Sequence, residues 1–141
     1  MIVFYNQKME INRDISNLAI MAYDRVYNQH PLIIVDSMAA SGISSIRILK
    51  DCKNVKKIYI NDINPIAVDL INKNLSLNGI YNHPAHIEVS RKEANYLFSE
   101  IAQNSYTSSN NRPQKPNVIS IDPFGTPNLY IDGAFKAIQK V

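Results

Sequence analysis

From residue 32 onward the chain alternates short unbroken apolar runs with longer stretches in which apolar residues return every three or four positions. Leu32-Ile33-Ile34-Val35 leads into Asp36, and Val55, Ile58 and Ile60 lead into Asn61-Asp62. His86-Ile87-Glu88-Val89 is a brief third run, and Val118-Ile119-Ser120-Ile121 leads into Asp122. Short continuous apolar runs suit strands buried on both faces, the condition of a parallel sheet. The stretches between them have helical period: Ile43, Ile46 and Leu49; Ala67, Leu70, Ile71 and Leu75; Ala94, Leu97, Phe98, Ile101 and Ala102. A further helix precedes the first strand through Ile15, Leu18, Ala19, Ala22, Tyr23 and Val26, with Asn12 as its N-cap, and another runs from Leu129 to Val141. Asn64-Pro65 opens one helix with a capping side chain and a proline, and Gly79 closes it. Four strands alternating with helices predict an α/β fold with a doubly wound, mostly parallel sheet.

Such sheets bind ligands beyond the carboxyl ends of their strands, where the strand order reverses. Asp36, Asp62, Glu93 and Asp122 all fall at or just past predicted strand ends. The turn Met38-Ala39-Ala40-Ser41-Gly42 carries little bulk, so its backbone can approach a ligand closely. Asp62, ending the second strand, is placed to accept from both hydroxyls of a ribose. A dinucleotide would want G-x-G-x-x-G here so that its pyrophosphate rests on the helix N-terminus. This turn has one glycine, Gly42, and an acid, Asp36, just before it. An acid disfavours a diphosphate and suits the cationic amino acid end of S-adenosylmethionine, which is the cofactor expected. Asp122-Pro123-Phe124-Gly125 suits chemistry on an exocyclic amine: a carboxylate to accept from NH2, a proline to stiffen the backbone and a flat ring for a flipped base. Taken alone, the same four residues also read as a strand end followed by a proline turn.

Composition changes this picture little. A chain of 141 residues with 45% apolar content makes one domain with a real core. A net charge of +3 permits a nucleic-acid partner without requiring one, and Lys53, Lys56 and Lys57 read as solvated surface. No apolar run reaches membrane-spanning length and no basic, then apolar leader opens the chain, so no membrane partner is expected. The single cysteine, Cys52, forms no internal disulfide and fits a reducing, intracellular compartment. His30, His83 and His86 lack metal-ligand spacing, so no metal site is assigned. The stretch 104–117, rich in Ser, Asn and Pro between Asn104 and Pro116, reads as a disordered loop insertion.

Five short motifs then occur in one order: Val3-Phe4-Tyr5-Asn6, Asn12-Arg13-Asp14, Ala39-Ala40-Ser41-Gly42-Ile43, Asn61-Asp62-Ile63 and Asp122-Pro123-Phe124-Gly125. In this order and spacing the chain resembles the tRNA (guanine(26)-N2)-dimethyltransferases, class I enzymes that use S-adenosylmethionine. The resemblance implies that Arg13 reaches the cofactor's carboxylate, that Asp62 binds its ribose, and that Glu93-Ala94 lies beside the adenine where the family has Asp-Ala. Asp36 and Gly42 complete the expected cofactor site. Asp122 becomes the catalytic acid that orients the guanine N2 amine and takes its proton, and Phe4, Pro123 and Phe124 hold the target base, with tRNA as partner. The family's arginine after the small-residue turn is replaced by Ser44, and Arg47 is the next cation. The resemblance further implies more strands beyond the fourth and a C-terminal tRNA-binding domain. Residues 1–141 then form a partial methyltransferase domain with an open sheet edge prone to association. Two alternatives stand beside this one. The chain can be a cofactor- or partner-binding piece that catalyses nothing alone. It can also be a methyltransferase acting on adenine, although such enzymes carry a second proline where this chain has Phe124.

Overall fold

In a computed structural model, which describes residues 3, 5–27, 30–107 and 115–139, the apolar run at residues 32–36 forms β1 (Leu32–Asp36), buried along its whole length. Parallel partners flank it on both sides. β2 (Val55–Asn61) pairs with β1 on one edge and with β3 (His86–Ser90) beyond it; β4 (Val118–Ser120) pairs with the other edge of β1. The order is β3-β2-β1-β4, so the chain steps outward twice and then returns to the far side of β1. The register sets Ile34 level with Ile58 and Val118, and Ile58 level with Ile87.

Alternation along each strand divides the core into two layers. Leu32, Ile34, Ile58 and Ile60 face α2 (Ile43–Asp51) and α3 (Pro65–Leu77), with Ile20, Met21 and Tyr23 of α1 (Glu10–Val26) packed against them. On the opposite face Val35, Tyr59 and Ile119 meet α4 (Ala94–Thr107) and α5 (Asn128–Ala137) through Ala94, Leu97, Phe98, Ile101, Ala134 and Ala137. Crossovers that pass to opposite faces on either side of β1 open a crevice between the ends of β1 and β4, the switch point of the sheet.

The α/β, parallel reading of the chain holds throughout. In α3 the side chain of Asn64 accepts from Ile66 N–H at 3.0 Å with Pro65 behind it, and Gly79 takes a left-handed φ of 69° just past the end. Three local expectations need correction. Asn12 is not an N-cap: Asn6 caps a 3-10 turn (Gln7–Met9) that passes straight into α1, so the helix starts at Glu10. Of the expected stripe, Ile15, Leu18, Ala19, Ala22 and Val26 are solvent-exposed and Tyr23 packs on the core, since α1 turns the adjacent face with Ile20 and Met21 inward. Of the insertion expected over 104–117, residues 104–107 belong to α4, residues 108–114 lie outside the described residues, and the far end is tied to β1. Asn117 Oδ1 accepts from Ile33 N–H (2.9 Å), its Nδ2 donates to Pro31 O (3.1 Å), and Pro116 is fully buried. α5 stops at Ala137, where Ile138 turns extended; Lys140 and Val141 lie outside the described residues.

Gly42 shows why the turn after β1 needs its one glycine. Its φ is +72°, and a Cβ there would lie 3.2 Å from Ile71 Cγ1 of α3. Gly42→Ala is expected to cost about 1–2 kcal/mol, from the left-handed backbone and the crowding together. Urea denaturation of the two proteins checks this; equal midpoints would contradict it.

Candidate active site at the carboxyl ends of the strands

The end of each strand delivers a polar residue to the rim, and the loops behind β1, β2, β3 and β4 enclose a cleft of about 730 Å³. That volume suits a nucleoside-sized ligand. Arg13, Asp36, Asp62, Glu93, Ala94, Asp122, Pro123 and Phe124 all line it, together with the small-residue turn Ala39-Ala40-Ser41. Residues distant in the chain, expected from the sequence to share a site, line one cleft. Among the described residues no cluster of His, Cys, Asp and Glu could hold a metal ion, and no helix is long and apolar enough to cross a membrane.

Each acid is held differently. Asp36, at the end of β1, is buried and accepts from Ser45 Oγ at 2.6 Å. Burial pushes its carboxyl up to about 6, against the pull of the Ser45 hydroxyl, and the negative charges of Asp122 and Asp62 add to the rise. Asp62 accepts two backbone N–H groups, Ala40 on Oδ2 and Asn64 on Oδ1, each at 2.9 Å. The first bond pins an uncommon conformation, since Ala40 has a φ of 49° with no glycine to ease it. Each carboxylate oxygen keeps a lone pair for a ligand hydroxyl. Glu93 caps α4 by accepting from Tyr96 N–H at 3.0 Å. Asp122 lies exposed just past β4, and Phe124 beyond it is 87% exposed.

Charge in the cleft opposes that of the whole chain. Asp36, Asp62, Glu93 and Asp122 face Arg13 and Lys92, four acids against two cations, on a protein of net charge +3. Lys92 is itself paired with Glu100. An acidic cleft of this kind repels a pyrophosphate and attracts a cationic ligand. Arg13 donates to Asn6 O and to Tyr5 Oη, both at 3.2 Å, with the Tyr5 ring centre 4.9 Å away.

One expected site residue falls elsewhere and another is not described. Gly42 does not line the cleft; it is buried under the turn against Ile71, so it shapes the loop and leaves contact with a ligand to its neighbours. Phe4 lies outside the described residues. Ser44 lines the cleft where the family resemblance has an arginine, while Arg47 is ion-paired with Asp14 of α1, away from the lining. Sequence reasoning gave no role to Asn61, whose buried amide bonds both neighbouring loops. A polar residue directly after Ile58-Tyr59-Ile60 was the available signal.

The family model for N2,N2-dimethylguanosine tRNA methyltransferase matches residues 1–141. The tRNA (guanine(26)-N(2))-dimethyltransferase of Methanococcus aeolicus is 36% identical over 141 residues, covering 96% of this chain and 34% of the relative. Its counterpart from Pyrobaculum aerophilum is 34% identical over 138 residues, covering 98% and 32%. The chain thus spans about a third of the length of the curated relatives it matches. Among solved structures, Trm1 from Pyrococcus horikoshii in complex with S-adenosyl-L-methionine superposes with a TM-score of 0.78 at 26% identity, over 97% of this chain and 35% of that one.

The raised Asp36 carboxyl makes stability depend on pH with a definite sign. Between the ordinary value of 3.8 and about 6 the folded state holds this proton more tightly than the unfolded state does. Stability from this group is therefore highest below pH 4 and falls until pH passes 6, by up to about 3 kcal/mol. Asn cannot ionise, so Asp36→Asn is expected to gain stability relative to wild type as pH rises from 4 to 7. Thermal denaturation across that range reads the difference, and a gap that is constant with pH would refute the assignment.

Proposed function

The chain belongs to the N2,N2-dimethylguanosine tRNA methyltransferase family, and from that premise we propose that it forms the S-adenosylmethionine-binding part of an enzyme that methylates the exocyclic N2 of guanosine 26 in tRNA. The observation that carries this reading is the meeting of Arg13, Asp36, Asp62, Glu93 and Asp122 in one acidic cleft at the switch point of the sheet. Asp62 accepts from the ribose hydroxyls with a carboxylate already oriented by two backbone N–H groups. Arg13 turns its remaining N–H groups to the amino acid carboxylate, and buried Asp36 faces the ammonium, whose positive charge favours its ionised form. Glu93 keeps one oxygen for the adenine amine after capping α4, and Ala94 leaves room for the ring.

S-adenosylmethionine supplies a methyl group on a sulfonium, electrophilic without further activation. The chain's task is then placement, with the amine nitrogen about 3 Å from the methyl and its lone pair in line. Asp122 accepts from the guanine N2 amine and takes the proton that the nitrogen sheds as it is alkylated. Pro123 stiffens the backbone here, and Phe124, with Phe4, supplies ring faces for the flipped base. A second methylation needs the monomethyl amine to present its remaining N–H to the same carboxylate.

The second reading is a cofactor- or partner-binding piece without activity of its own. It is favoured by the free edge of β4, which pairs only with β1 among the described strands. Ile11, Ile15 and Leu18 of α1 lie exposed on one side of the sheet and Leu129 and Phe135 of α5 on the other. An added strand from further polypeptide would cover edge and flanks together.

Calorimetry with S-adenosylmethionine, followed by transfer of labelled methyl to unmodified tRNA, distinguishes these readings. Asp62→Ala is expected to weaken cofactor binding about tenfold or more. Asp122→Ala is expected to lower transfer by about a hundredfold or more while changing cofactor affinity less than about threefold. Affinity lost in step with transfer would remove Asp122 from the chemistry. Binding with no transfer by wild type supports the second reading, and absence of binding sinks the first and the cofactor-binding form of the second.

A further inference from the structure

Asn61 ends β2 with a side chain that is fully buried and does not line the cleft, yet three of its four side-chain hydrogen bonds go to loop residues that do, Ser37 and Lys92. Its Nδ2 donates to Ser37 O at 3.0 Å and to Lys92 O at 2.9 Å; its Oδ1 accepts from Ser90 Oγ at 2.8 Å and from Lys92 N–H at 3.0 Å. A primary amide has two N–H groups and two lone pairs, so the group is saturated. Two carbonyls on one side and a backbone N–H on the other also decide which atom is nitrogen. The main chain extends the pattern, with Ala39 N–H donating to Asn61 O at 2.9 Å.

We propose that Asn61 is a positioning residue for the cofactor, setting the separation of the loop after β1 from the loop after β3. This rests on the reading of the cleft as a cofactor site. Ser37 and Ala39 belong to the turn that faces the amino acid end, and Lys92 precedes Glu93-Ala94 at the adenine end. A ligand that spans both loops is recognised only when they are in register, and here one amide supplies that register. No other side chain of this size does the same. Alanine leaves two carbonyls and an N–H without partners, and aspartate sets a carboxylate against two carbonyls in the field of Asp36, Asp62 and Asp122.

The test compares wild type, Asn61→Ala, Asn61→Asp and the milder Ser90→Ala, with Leu75→Ala in α3 as a remote core variant matched for thermal loss. Calorimetry measures S-adenosylhomocysteine, which spans both loops, and adenosine, which touches one end. The Asn61 variants are expected to weaken the first about tenfold or more and the second about threefold or less, with Ser90→Ala shifted the same way by less and Leu75→Ala keeping the wild-type ratio. Hydrogen exchange on the ligand-free proteins reads the loops directly. The amides of Ala39 and Lys92 should exchange about tenfold faster in the Asn61 variants, with those of Ile34 and Val35 in β1 unchanged. A wild type that binds neither ligand overturns the cofactor reading on which the proposal stands. A wild type that binds, beside Asn61 and Ser90 variants that match the Leu75→Ala ratio or keep loop amides at wild-type rates, overturns the proposal alone.

Discussion

Parallel strands all deliver their chain to the same rim, so that rim consists of loops that no hairpin closes and that side chains must tie to one another. In this protein the ties converge on the end of β2. Asn61 joins the loops after β1 and β3, and Asp62 beside it holds Ala40 in a left-handed conformation. Asn74 of α3 donates to Ser41 O at 2.8 Å, and Ser37 Oγ donates to Ser120 O at 2.7 Å, so the turn after β1 is tied on three sides. Glycine-rich dinucleotide loops follow the phosphates with freely rotating backbone. A turn built from Met, Ala, Ala and Ser lacks that freedom, and side-chain hydrogen bonds fix its shape instead.

The same convergence creates the electrostatic character of the cleft. Carboxylates at neighbouring strand ends repel one another, and the repulsion falls on the member with least water. Asp36 is that member, held above the ordinary carboxyl range first by burial and then by Asp122 and Asp62. Like-charge crowding destabilises an empty site and is relieved by a cation within it. A sulfonium and an ammonium on one small molecule fit such a field, whereas a diphosphate worsens it. Charge and shape thus favour one ligand class independently of family membership.

Much of this architecture was legible because the signals were local. Continuous apolar runs identified the strands, Asn64-Pro65 and Gly79 bounded α3, and acids at strand ends marked the rim. The misreadings arose where tertiary context decides. Periodicity gave α1 an apolar stripe of which only Tyr23 reaches the core, because Ile20 and Met21 compete with Ile15, Leu18 and Val26 for it. Asn12 looked like a cap only because the 3-10 turn before it leaves no apolar pattern. Asn117 read as part of a loop, although its side chain extends the bonding of β1. Asn61 carries no periodic signal, and its importance lies in contacts with residues 24 and 31 positions away.

The resemblance places an arginine where this chain has Ser44, which puts more weight on Arg13. Arg47 cannot simply take over, since three residues along a helix carry it about one turn from the cleft end of α2. Its ion pair with Asp14 is half-exposed and weak by itself, so distance rather than pairing keeps it away. Lys92, the other cation of the lining, stands next to Glu93 on the loop after β3 and pairs with Glu100. Arg13 is then the cation left to meet a carboxylate in the cleft, and it already binds Asn6 O and Tyr5 Oη. A guanidinium has five N–H donors, so two protein bonds leave three for a ligand. Filling those three would fix Arg13 against Tyr5 and Asn6. On the proposed reading, occupation of the cofactor end is therefore linked through one side chain to Tyr5 and Asn6, which belong to the motif from which the resemblance draws a base-holding aromatic.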